Sequence, residues 1–129
     1  MSFEQSEVPT YTATIFCGLR EGFDGPVHEL GEARAICQRF CEESGEWLGL
    51  TLRPTVFIYT GGHEPGIEVG LINYPRCPAT PQQIRERAVS LAGLLMEAFQ
   101  QIRASIVFPD VTVMLGPAPN DQGSSEEQP

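Results

Sequence analysis

The stretch TLRPTVFIYTGGHEPGIEVGLINYPRC, residues 51–77, decides the fold. A β-branched and aromatic run from Thr55 to Thr60 meets a break at Gly61-Gly62-His63-Glu64-Pro65-Gly66, and a second run continues from Ile67 to Tyr74. Two such runs around a glycine-rich break predict a β-hairpin. Because side chains alternate along a strand, Ile67, Val69 and Leu71 share one face of the second run and Glu68, Gly70, Ile72 and Tyr74 the other. Both faces turn apolar toward the strand's end. The expectation is a central strand with helices over one face and a second subunit or a ligand over the other.

Upstream, YTATIFCG from Tyr11 to Gly18 predicts a first strand that runs into a glycine-rich loop, Leu19 to His28. The loop lacks the GxxxxGK(S/T) spacing of a phosphate loop and has no lysine. Its length still marks it as a candidate functional segment. Leu30, Ala33, Ile36, Cys37, Phe40 and Cys41 recur at helical spacing and predict a helix over Glu29 to Glu43, stopped by Ser44-Gly45. A short strand, Trp47 to Leu52, leads through Arg53-Pro54 into the hairpin, where the proline asks for a bulge or a sheet edge.

Downstream, Thr80 as N-cap, Pro81 at the first helical position and Gln83 at the capping-box position open a second helix. The stripe Ile84, Ala88, Leu91, Ala92, Leu95, Phe99, Ile102 carries it for about five turns. Ser105 to Phe108 and Val111 to Leu115 form a last strand interrupted by Pro109-Asp110. Strand, helix, strand, strand, helix, strand is the βαββαβ order of a ferredoxin-like α+β sandwich: a four-stranded antiparallel sheet, order 4-1-3-2, with both helices on one face. The expected organisation is a flexible arm over residues 1–10, the α+β domain over 11–115, and a disordered acidic tail over 116–129.

The 129 residues carry 17 acidic against 8 basic side chains, for a net charge of −9, and every basic one is arginine. That balance disfavours a nonspecific duplex-binding surface, which needs a positive field, and leaves room for a local arginine site for one small anionic ligand. No run approaches the ~18 apolar residues of a membrane span, and the acidic, polar start MSFEQSEVPT is unlike a signal peptide. The expected location is the cytoplasm, where four cysteines predict free thiols. With no CxxC and no Cys/His cluster, no metal site and no cofactor is expected.

Candidate ligand contacts gather at the strand ends. Arg20 and Glu21 follow the first strand and read either as a surface ion pair or, for Arg20, as a fork for phosphate or carboxylate. His28 stands where it can cap the first helix, and His63 sits at the hairpin tip beside Glu64. Each is also a candidate contact or base, because imidazole titrates near neutrality. Asn73, Tyr74 and Arg76 end the central strand; a buried amide there takes its partners from a ligand or from the turn backbone before Pro75. Tyr59, Tyr74 and Phe57 offer flat surfaces on which a base can stack. Glu64 and Glu68 can be read as an acid/base pair, but a turn and one strand residue separate them, so their carboxylates need not converge, and Glu68 is expected on a subunit rim or paired with an arginine such as Arg53. No GxSxG, HExxH or dinucleotide fingerprint is present.

The segments CGLREG (17–22), IYTGG (58–62) and GLINYPR (70–76), on this strand order, resemble small phage-encoded proteins. Among these the chain is similar to the Thoeris anti-defence sponges, which sequester cyclic ADP-ribose-type signals and cyclic oligonucleotides. The resemblance covers most of residues 11–115. It implies a homo-oligomer in the bacterial host cytoplasm that binds a nucleotide signal between subunits without cleaving it, with Arg20 as the phosphate contact and Asn73 as the base or ribose contact.

The leading expectation is therefore an oligomeric binder of a small anionic, nucleotide-derived ligand. Two other classes stay open: a small enzyme on the same scaffold with His28 or His63 as base, and an acidic inhibitor that occupies a basic protein partner.

Overall fold

In the computed structural model the break expected over residues 61–66 shrinks to a tight turn at Thr60-Gly61, and Gly62 to Gly66 join the second strand. Gly61 takes a φ of 90°, and the chain reverses there between β2 (Thr51–Tyr59) and β3 (Gly62–Ile72). The two pair antiparallel from Tyr59↔Gly62 to Thr51↔Gly70. Of the separate short strand expected over Trp47 to Leu52, only Thr51 and Leu52 are in a strand, and they open β2 itself. Pro54 is accommodated because β2 is an edge strand. The structure describes residues 1–117; residues 118–129, which make up most of the tail expected to be disordered, lie outside the described residues.

The remaining elements are β1 (Thr12–Gly18), α1 (Leu30–Glu43), α2 (Pro81–Ala98), β4 (Ala104–Val107) and β5 (Thr112–Leu115). The sheet is antiparallel and open, in the order β2-β3-β1-β4-β5. The class is α+β with two helices, and the expected count of four strands is corrected to five. The reason is local. Pro109-Asp110 turns the chain where the sequence suggested an interruption, with Phe108 N donating to Val111 O at 2.9 Å. The two halves then pair with each other from Ala104↔Leu115 to Val107↔Thr112.

Both helices cover one face. Ala13, Ile15 and Cys17 of β1, Ile67, Val69 and Leu71 of β3, and Ala104 and Ile106 of β4 pack with Ala33 and Cys37 of α1 and with Ile84, Ala88, Leu91, Ala92 and Leu95 of α2. Burial pushes the Cys17 thiol, with a smaller push from the Glu64 carboxylate, up to about 12. Burial and then Cys41 push Cys37 to about 11. Both thiols are thereby kept protonated and unreactive. β3 is central, as expected, but it is covered on one face alone: Ile72 is 46 % exposed.

α2 starts on the predicted cap, with Thr80 Oγ1 accepting from Gln83 N at 3.1 Å and Thr80 N donating to Gln83 Oε1 at 2.9 Å. It ends earlier than its apolar stripe. Gln100 adopts a left-handed φ of 54°, Gln101 N donates to Met96 O at 2.9 Å and Gln100 N to Glu97 O at 3.4 Å. This is a Schellman turn. Ile102, expected on the buried stripe, falls beyond it and is exposed. Among the described residues no helix is long and apolar enough to cross a membrane.

Candidate functional site

With Ile67, Val69 and Leu71 turned into the core, β3 presents Gly62, Glu64, Gly66, Glu68 and Gly70 to the uncovered face. Glycine and glutamate alternate there at every second residue. Side chains of β2 lie down into the gaps. A Cβ at Gly66 would overlap the Phe57 ring, one at Gly62 would stand 3.0 Å from Tyr59 Cε1, and one at Gly70 would stand 2.5 Å from Thr51 Oγ1. Phe57 in turn meets Phe16 of β1 edge-on, with centroids 6.4 Å apart and planes at 63°.

Glu68 sits in the row between Arg53 and Phe16, and Arg53 Nε lies 3.6 Å from its carboxylate, the pairing expected from sequence. Glu64 is four residues away on the same face, roughly 13 Å along the strand. The two carboxylates therefore do not form a dyad. Glu64 has no ion pair among the described residues.

β1 ends at Gly18, opposite Gly66. A Cβ on Gly18 would stand 2.6 Å from Gln101 Oε1 and 3.4 Å from Glu64 Oε2. The orientation of the Gln101 amide is set by its nitrogen, which donates to Arg20 O at 2.8 Å and to Phe99 O at 3.0 Å. Its oxygen is left facing the bare glycine. Two half-buried side-chain acceptors thus converge over buried Gly18, and the chemical complement is a group rich in donors, such as a protonated amine or a pair of hydroxyls. Among the described residues no set of three or more His, Cys, Asp or Glu side chains is arranged to hold a metal.

The eight residues singled out in the sequence divide between the two ends of β1, whose seven residues span roughly 20 Å. Arg20, Glu21, His28, Tyr59 and His63 lie toward the Gly18 end. Arg20 Nη1 donates to His63 O at 3.5 Å. The His28 ring packs on Phe99, with centroids 5.0 Å apart. Its Nδ1 lies 2.6 Å from Glu32 Oε1 and its Nε2 2.6 Å from Glu21 Oε2. The bond to Glu32 first, and then that to Glu21, raise the His28 pKa above its ordinary value. Both ring nitrogens are engaged, so a role as free base has no lone pair to work with.

Asn73, Tyr74 and Arg76 lie at the other end. Asn73 is buried, its Nδ2 donating to Pro9 O at 2.8 Å and its Oδ1 accepting from Ala79 N at 2.8 Å. Its amide ties the N-terminal arm to the segment leading into α2. Tyr74 meets Trp47 edge-on at 5.2 Å, and the Arg76 guanidinium lies 5.4 Å over the same indole. A separate groove of about 570 Å³ opens on the helical side, lined by Phe40, Leu48, Leu94 and the Arg87–Glu46 pair. None of the convergent acceptors reaches it.

Sequence reasoning missed Gln101, Gly18 and Phe16. The alternation of glycine and glutamate from Gly62 to Gly70 was the signal available for this face. Gln101 had none, because its position depends on where α2 stops.

No family model and no curated protein matches the sequence. Two solved structures share the fold. One is a phage SAM lyase in its apo state, with a TM-score of 0.76 and 16 % identity, covering 90 % of this chain and 97 % of that one. The other is a phage SAM lyase in complex with S-methyl-5′-thioadenosine, with a TM-score of 0.72 and 14 % identity, covering 97 % of this chain and 100 % of that one. The likeness to phage proteins agrees with the resemblance drawn from sequence at that coarse level and does not extend to Thoeris sponges. The expectation of a binder that sequesters a nucleotide signal without cleaving it is overturned, since both neighbours are lyases by name. The small-enzyme alternative fits these neighbours better.

Proposed function

We propose that this chain is a lyase acting on SAM (S-adenosylmethionine) or a closely similar sulfonium nucleoside, with the uncovered face around Gly18, Glu64 and Gln101 as its active site. The observation that carries this reading is the pair of acceptors over bare Gly18 beside the Phe57 and Tyr59 rings, on a fold shared with enzymes of that name. A cationic substrate also suits a chain of net charge −9 better than the anionic ligand first expected.

Release of methylthioadenosine requires cleavage of the bond between sulfur and the aminocarboxypropyl chain, with the electron pair passing to sulfur. A lyase adds no water. The substrate's own carboxylate can displace the thioether, which balances as methylthioadenosine plus a lactone. Carboxylate and sulfonium charges vanish in that step, so a weakly polar, aromatic-lined surface favours it. Glu64 and Gln101 would receive the ammonium group, and the Phe57 and Tyr59 rings would take the adenine or the sulfonium. The scaffold is in this reading a ferredoxin-like sandwich with one edge strand added, and the uncovered face is completed by a second copy of the chain.

Incubation of the protein with SAM, followed by chromatography, is expected to yield methylthioadenosine, with the rate reduced about 100-fold in Glu64→Gln and Gln101→Ala. A folded wild-type protein that leaves SAM intact overturns the proposal.

A further inference from the structure

The Glu21–His28–Glu32 cluster lies one residue from the carbonyl that orients Gln101. The loop carrying it is closed by its own backbone: Arg20 bridges Val27, His28 N donates to Leu19 O at 2.7 Å, and Glu21 N donates to Pro26 O at 2.9 Å. Its base is fixed by buried Leu19, whose N donates to Pro65 O at 3.1 Å. The side-chain hold on its far end is His28, seated on Phe99 and reaching Glu21 of the loop on one side and Glu32 of α1 on the other. Phe99, the C-cap of α2, presents its uncharged ring to that surface. Phe99 O and Arg20 O are the two acceptors that set the Gln101 amide.

Proton counting fixes what the cluster requires. Both carboxylates accept at 2.6 Å, and only an imidazolium carries two N–H groups; neutral imidazole donates once and turns a lone pair toward the second carboxylate. One contact must then open. We infer that His28 is a positioning residue: its doubly protonated ring clamps the 19–28 loop to α1, so that the Arg20 carbonyl holds Gln101 with its oxygen toward Gly18, and loss of the ring proton releases that hold. The direction of the His28 shift agrees, because the two carboxylates keep the proton on above the ordinary value. The grip is complete at low pH and is lost as pH rises through the folded-state pKa.

The inference does not depend on SAM as substrate, and its test uses no ligand. Nitrogen-15 NMR of the full chain from about pH 5 to 9 is expected to show the Gln101 side-chain amide shifting with the midpoint of the His28 ring. Its solvent exchange should rise about tenfold on the alkaline side. Glu32→Gln supplies an amide that can donate to the bare ring nitrogen, so neutral His28 satisfies both partners and the Gln101 response should flatten. A Gln101 amide that stays fixed while His28 titrates overturns the inference. So does a full wild-type response in Glu32→Gln.

Discussion

Glu64 and Gln101, on different elements and far apart in sequence, present their oxygens to one bare position. Glu64 Oε2 is 3.4 Å and Gln101 Oε1 2.6 Å from the point where a side chain on Gly18 would begin. β3 delivers the first, and the turn after α2 delivers the second. The absent Cβ is what lets both oxygens close on the buried Gly18 backbone.

Gly18→Ala is the sharpest probe of that approach. The new methyl meets the end of a flexible side chain, so the fold should change by no more than about 1 kcal/mol. Affinity for SAM, whose ammonium group the two acceptors would receive, should weaken about tenfold or more by titration calorimetry. An unchanged affinity in the folded variant would remove Gly18 from the site.

Gly66→Ala should behave in the opposite way. Its methyl overlaps the Phe57 ring and approaches Cys17 O to 2.9 Å, which is backbone and cannot swing aside. Overpacking of this kind costs about 1–3 kcal/mol. Adding Phe57→Ala removes the ring conflict, so a double-mutant cycle in urea should give a coupling of about 0.5 kcal/mol or more. Additive losses would show that ring and glycine do not interlock.

Asn73→Ala separates the structural use of this amide from a ligand contact. Removing it leaves Pro9 O and Ala79 N without their side-chain partners, at a cost of about 1–3 kcal/mol. The expected outcome is a lower Tm with methylthioadenosine affinity unchanged, read from melting curves and calorimetry on the same sample.

Stability should pass through a maximum set by the His28 cluster. His28 has a raised pKa, so its contribution is full below the unfolded value of 6.5 and disappears as pH rises through the folded value. Glu32 is lowered, chiefly by its bond to His28 and then by the Glu29 backbone. Its contribution is present above the unfolded 4.5 and is lost as pH falls through the folded value. Urea midpoints measured against pH should decline on both sides, and His28→Asn should flatten the alkaline decline.

What the sequence disclosed was what depends on local chemistry. The hairpin, though not the tightness of its turn, followed from β-branched runs around the glycine-rich 61–66 segment, and the start of α2 from Thr80-Pro81 and Gln83. The α2 core stripe followed from its 3.6-residue period. β5 was hidden because Pro109-Asp110 reads as an interruption or as a turn until pairing partners are known. The early end of α2 was hidden because glutamine at position 100 does not announce a left-handed backbone, and Gln101 went unnoticed with it. The alternating glycines and glutamates of β3 were present in the letters. Their meaning required knowing which face the helices would take. The eight residues chosen for chemical character proved to belong to two ends of the sheet, a distinction that composition and spacing do not encode.

The relief of the β3 surface comes from atoms that are missing at residues 62, 66 and 70, and the overhanging groups come from β2. Altered preference for one guest over another should then arise by trimming or exchanging Tyr59, Phe57 and Thr51, while enlargement of the floor beneath them would simply fill it. Divergence on this scaffold is thereby steered into β2, one of the two edge strands, whose outer side has no neighbour in the sheet among the described residues.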